Sequence, residues 1–185
     1  MGEHEVKRRA IFLDRDGVLN RPVVRDGLPF PPATPAEFEL YPGVAEGCGE
    51  LKAAGYLLIV VSNQPDVGRG TQTREAVTAM HEKLRSVVPA LDAIEVCYHA
   101  GERHNDPCDC RKPKPGMLLR AAAERDIDLK QSFLIGDRWR DVDCAHAAGC
   151  RAIFIDHGYR EPLRKKPEFA VANFSEAVAT VLQTH

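Results

Sequence analysis

Five short apolar runs, rich in β-branched residues, punctuate the chain: Ala10 to Leu13, Leu57 to Val61, Ile94 to Tyr98, Phe133 to Ile135 and Ala152 to Ile155. Each is nearly continuous rather than alternating, which predicts strands buried on both faces of a parallel sheet. Between them the apolar spacing widens to a helical period. Pro42-Gly43-Val44 opens one helix, with Val44, Cys48 and Leu51 on a single face and Gly55 as its stop. Thr73 caps a second that runs to about Val88, and a third starts near Pro115 with Met117, Leu118 and Ala122. A fourth spans about Asp141 to Ala148 before Gly149, and the last starts with Ser175 as its cap. Strand and helix in alternation predict an α/β fold, a doubly wound Rossmann-like parallel sheet. The proline-rich stretch from Pro22 to Pro42 reads as a long loop over the carboxyl end of the first strand, the edge where such sheets bind ligands.

At 185 residues the chain is expected to form one domain over residues 1–185. A net charge of −2 gives no footprint for nucleic acid or an anionic membrane. No apolar run reaches the length of a membrane span, and no signal-peptide core precedes the first strand, so a cytoplasmic protein is expected. In that compartment six cysteines read as thiols or metal ligands rather than disulfides, and the sequon at Asn173-Phe174-Ser175 carries no glycan. The polar start MGEHEVKRR is expected to fray.

Candidate chemistry begins where the first run, IFL, meets Asp14-Arg15-Asp16-Gly17. Carboxylates this dense at a buried strand end repel one another and cost desolvation energy unless a cation joins them. Parallel strands deliver their carboxyl ends to one edge, so Ser62-Asn63-Gln64 and Gly136-Asp137 can converge on Asp14 and Asp16; Arg111-Lys112 precedes the third helix. Such groups suit phosphoryl transfer through an aspartyl-phosphate: one carboxylate attacks phosphorus and another acts as acid and base. A divalent cation, a hydroxyl and an ammonium then balance the phosphoryl charge. An EF-hand reading of DRDG lacks the third acidic position and the closing Glu, and no Walker A loop occurs.

These motifs resemble the haloacid dehalogenase superfamily of phosphatases. Its first motif, DxDG[TV], matches Asp14 to Val18; the second matches VVSNQ through Ser62; the third is Lys112 in RKPKPGM; the fourth, GDxxxD, is Gly136-Asp137 with Asp141. The resemblance implies that Asp14 is the nucleophile and Asp16 the general acid/base. Asp14, the backbone carbonyl of Asp16 and Asp137 would hold Mg2+. Ser62 and Lys112 would bind the phosphoryl group, with Asn63 shaping the same loop and Lys114 as a rival lysine. Asp141 would orient its neighbours; at a helix start it also serves as an ordinary capping residue.

A second constellation sits in CYHAGERHNDPCDCRKPKPGML. Cys97, His99, Cys108 and Cys110, as C-x-H and C-x-C pairs, make a tetrahedral Zn2+ site that is closed and therefore structural, with His104 a spare candidate. The bland alternative is four unliganded thiol and imidazole groups on an exposed loop. Cys48, Cys144 and Cys150 read as small core residues. The zinc loop narrows the resemblance to the heptose 1,7-bisphosphate phosphatases and the related histidinol-phosphate phosphatases. That implies a phosphorylated sugar as the small-molecule substrate, for nucleotide-activated heptose synthesis, with Arg111 reading a second phosphate. Arg138 stands where those enzymes carry lysine, and is expected to contact substrate as Asn63 is. Neither gap between motifs has room for a cap domain, so a capless enzyme is expected, and the resemblance implies a monomer. The competing readings are a histidinol-phosphate phosphatase and, in another class, a non-catalytic phosphate-binding or scaffold protein.

Overall fold

The apolar runs become the centre of one six-stranded parallel sheet. A computed structural model of the chain describes residues 7–26 and 28–184; the expected fraying therefore concerns residues that lie mostly outside the described ones. In chain order the elements are β1 (Arg9–Leu13), a hairpin of β2 (Val23–Arg25) and β3 (Leu28–Phe30), α1 (Val44–Ala53), β4 (Tyr56–Asn63), short α2 (Pro65–Gly68), α3 (Arg74–Val87) and β5 (Ala93–Cys97). There follow α4 (Gly116–Arg125), β6 (Phe133–Gly136), α5 (Trp139–Ala148), β7 (Arg151–Ile155), β8 (Phe169–Val171) and α6 (Phe174–Gln183). The sheet order is β5-β4-β1-β6-β7-β8, and every pairing in it is parallel. The order reverses direction beside β1, so the switch point lies at its carboxyl end.

Period-two alternation divides the core into two layers. Ile11 and Leu13 pack with Leu58 and Val60 under α1, α3 and α6; Ala10 and Phe12 pack with Leu57, Ile59 and Val61 under α4 and α5. Cys48, Cys144 and Cys150 are buried within these layers. Burying side chains of this size is worth about 1.5–3 kcal/mol each, which makes β1 a rigid mount for whatever follows Leu13.

Three expectations change. The Pro22–Pro42 stretch is not all loop: it holds the β2–β3 hairpin, whose three-residue strands carry too little pattern to be read. The same brevity hides β8 at the sheet edge. The cap of α6 is Asn173 rather than Ser175. Its side chain accepts from Glu176 N at 2.9 Å, while Glu176 returns a bond to Ala172 N, and a Glu three residues on favours Asn173 over Ser175. Among the described residues, no cap-sized insertion interrupts the sheet and no helix is long and apolar enough to cross a membrane.

Candidate active site and metal centres

Asp14 leaves β1 with its N–H donating to Ile135 O (2.9 Å), which ties it to the end of β6. Its Oδ1 accepts from Arg15 N at 2.7 Å and lies 2.9 Å from Lys112 Nζ. That ammonium, 1% exposed, is also 2.7 Å from Asp141 Oδ1. Lys114 turns instead to Glu102 and the Cys108 carbonyl, so Lys112 alone of the two reaches the carboxylates. The close approach depends on glycine at two places. A Cβ on Gly17, whose φ is +89°, would stand 1.9 Å from Asp137 Oδ2, and one on Gly136 would stand 2.2 Å from Asp141 Cβ.

Asp14, Asp137 and Asp141 each place a carboxylate oxygen within 4.8 Å of the others. Burial, and then repulsion from Asp141, raises the Asp14 carboxyl to about 6 against the pull of Lys112. Burial, Asp14 and Asp141 push Asp137 well above the usual carboxylate range, and its Oδ1 is buried without a partner. One ammonium does not balance three acids. An orphaned, buried oxygen in an all-oxygen cluster fits a hard divalent cation. Asp141 has less to offer it: besides Lys112, its Oδ2 accepts from Arg138 N (3.1 Å) at the start of α5.

Asp16 lines the same cavity as Asp14 but has partners of its own. Its carboxylate accepts from Arg15 Nε (3.2 Å) and Nη2 (2.9 Å to each oxygen), Asn20 Nδ2 (3.0 Å) and Gln64 Nε2 (2.9 Å). It is absent from the carboxylate cluster, so only its backbone carbonyl remains for a metal. Gln64 also donates to Ser62 Oγ (2.8 Å), which is fully buried at the end of β4. Asn63 lines the same cavity as Asp14 and also braces the neighbouring lysine. Its amide is committed to the backbone of Lys112, accepting from the N–H at 3.0 Å and donating to the carbonyl at 3.1 Å, and so it positions the lysine. Arg15, Asn20 and Gln64 were not predicted as site residues; Arg15 and Gln64 lie within quoted motifs, but only contacts across the fold reveal their partners. His157, whose Nε2 donates to the Gly17 carbonyl at 2.6 Å, carried no signal at all.

Two cavities meet above these groups. One of about 310 Å³ is lined by Asp14, Asp16, Asn63, Lys112, Asp137 and, from the hairpin, Phe30. A larger one of about 570 Å³ holds Arg103, Arg111 and Arg164, and the two share Arg69, Lys112 and Arg140. Burial and then the neighbouring Arg140 lower Arg111 from the usual arginine range, the mark of crowded cations. Arg138 lines the smaller cavity beside Asp137 and is held there by a carboxylate. Its guanidinium is engaged by Glu161, which also accepts from Trp139 Nε1 at 2.9 Å and sits 3.6 Å from Arg140, so Arg140 rather than Arg138 opens onto both cavities.

The second centre lies past β5. Cys97 Sγ is 3.6 Å from His99 Nδ1 and 3.7 Å from Cys108 Sγ, and Cys110 Sγ is 3.3 Å from His99 Nδ1. A tetrahedron with bonds of about 2.3 Å to sulfur and about 2.1 Å to nitrogen has edges of ~3.8 Å and ~3.6 Å, so the spacing suits zinc. His104 is outside this set. Arg111 Nη1 donates to the His99 carbonyl at 3.2 Å, and the loop thereby carries Arg111 and Lys112 toward the carboxylates.

A family model described as HAD-hydrolase-like matches residues 109–178. The D-glycero-β-D-manno-heptose-1,7-bisphosphate 7-phosphatase of Rhodopseudomonas palustris is 36% identical over 77% of this chain and 81% of its own length. The α-anomer enzyme of Burkholderia mallei is also 36% identical, over 78% of this chain and 77% of its own. Among solved structures, the D,D-heptose 1,7-bisphosphate phosphatase of B. bronchiseptica, complexed with magnesium and phosphate, superposes with a TM-score of 0.81 at 29% identity, covering 96% of this chain and 99% of that one.

Proposed function

The chain belongs to the haloacid dehalogenase-like family of heptose 1,7-bisphosphate 7-phosphatases, and on that premise we propose that it hydrolyses the 7-phosphate of D-glycero-D-manno-heptose 1,7-bisphosphate through an aspartyl-phosphate. Asp14 Oδ attacks phosphorus while the ester oxygen leaves and takes a proton from Asp16. Asp16 then removes a proton from water, whose oxygen attacks the aspartyl-phosphate, releasing phosphate and restoring Asp14. Lys112 and Ser62 bind the phosphoryl oxygens, and Asn63 fixes the Lys112 backbone. Asp14, Asp137 and the Asp16 carbonyl would hold Mg2+, which would supply positive charge against the repulsion between carboxylate and phosphate. Zn2+ on Cys97, His99, Cys108 and Cys110 is structural. The protein acts as one domain and a monomer in the cytoplasm, in nucleotide-activated heptose synthesis, with no nucleic-acid or membrane partner.

The observation that carries this reading is the cationic chamber joined to the catalytic cavity, with Arg69, Arg111 and Arg140 on its wall. A second phosphate is welcome there, whereas the ammonium end of histidinol phosphate is repelled. Phosphate release with magnesium, using Asp14→Asn as blank, tests it. Some heptose 1,7-bisphosphate anomer is expected to exceed histidinol phosphate in kcat/KM by about 100-fold or more. A preference for histidinol phosphate overturns the substrate, and no release from either overturns the phosphatase reading for these esters.

A further inference from the structure

We propose that His81 is a positioning residue for proton transfer, holding Arg15 so that Arg15 in turn holds Asp16 in one orientation. Arg15 is 0% exposed, an unusual place for a guanidinium, and its charge is met within the fold. Nε and Nη2 grip the Asp16 carboxylate, the Phe38 ring lies 5.5 Å from the guanidinium carbon, and Nη1 meets His81 Nε2 at 3.2 Å. Arginine has only donors, so this last contact needs His81 Nε2 as acceptor, with the ring neutral and its proton on Nδ1. Burial, then the Arg15 charge, lowers His81 to about 4 despite Asp16, with Arg85 adding to the same effect, so the acceptor form persists through neutral pH.

Placement argues that the contact is made for Arg15. The other buried positions of α3 are Val77, Met80 and Leu84, and His81 is the one polar side chain on that face, 8% exposed. A hydrophobe there would pack against the core and leave Nη1 buried without a partner, at a cost that moving the guanidinium would relieve. Moving it releases the fork on Asp16 while Asn20 and Gln64 still hold the opposite sides. His81 touches no reacting atom, so its effect passes through Arg15 to the aspartate that delivers the proton.

The inference rests on Asp16 as general acid, which gives a readout that loss of packing does not share. A sugar alkoxide needs a proton to leave; p-nitrophenolate does not. His81→Phe is expected to lower kcat/KM for heptose bisphosphate about tenfold, while kcat/KM for p-nitrophenyl phosphate, which ends at release of p-nitrophenolate and so leaves out the later activation of water by Asp16, falls by less than about twofold; Asp16→Ala is expected to lower both, the heptose bisphosphate value by far more. His81→Gln, which keeps an acceptor oxygen, should recover most of the loss. The ratio of the two activities does not depend on the folded fraction, so a variant that folds poorly still reports. If Asp16→Ala lacks the asymmetry, the acid assignment fails first, and the role given to His81 fails with it. If Asp16→Ala shows it while His81→Phe leaves the ratio at the parental value, or Gln fails to restore it, His81 is a core histidine and the proposal is overturned.

Discussion

The two ligand clusters each gather their atoms within 4.8 Å of one another, and they do so by opposite routes. Cys97, His99, Cys108 and Cys110 come from one short segment, whose spacing alone brings together the ligand set a soft cation would need. Asp14, Asp137 and Asp141 come from opposite ends of the chain and meet only because β1 and β6 are neighbours in a parallel sheet. Their hard oxygens are partly balanced by Lys112, which the thiol cluster itself delivers two residues after Cys110. One cluster organises a loop; the other uses what that loop presents. Loss of the oxygen centre should therefore stop chemistry with the fold intact, whereas loss of the sulfur centre should weaken the fold locally and chemistry only as a consequence.

The strongest way to separate the two is Asp14→Asn, expected to lower kcat by roughly 10³-fold or more while the melting temperature stays near the parental value. Residual turnover within about tenfold of the parent would remove Asp14 as nucleophile. Cys110→Ser should do the reverse in kind: a lower melting temperature, zinc stoichiometry below one, and activity down by about 10–100-fold through displaced Arg111 and Lys112. An unchanged melting temperature and activity would make the thiols bystanders.

The smallest effect sharpens the electrostatic half of the comparison. Asp14, raised to about 6, keeps a proton in the folded, metal-free protein at pH values where the unfolded chain has already lost it. The folded state then binds more protons, so stability falls as pH rises from about 4 through 6, and Asp137, raised for the same reason, extends the fall. Asp137→Asn removes one of the repelling charges and should stabilise the metal-free protein at pH 7 by ~1–3 kcal/mol, with less gain at pH 5. Urea unfolding at both pH values measures it, and equal gains at the two would show that Asp137 does not titrate between them.

What was legible in the sequence is what local chemistry and one topological rule suffice to place. Continuous apolar runs forced buried parallel strands, and parallel strands send Asp14, Ser62 and Asp137 to one edge whatever the loops do. The Cys and His spacing closed its own site, and Gly17 and Gly136 stand where a side chain would strike Asp137 or Asp141. The tertiary structure decided how each charge is spent. Asn63 turned to the Lys112 backbone, Arg138 to Glu161, and Arg15 to Asp16 and His81, while Arg140 lines both cavities and Arg138 one of them. No spacing rule carries that information. The energy of a buried guanidinium depends on which acceptors lie within about 3 Å of it, and those acceptors arrive from elements far along the chain.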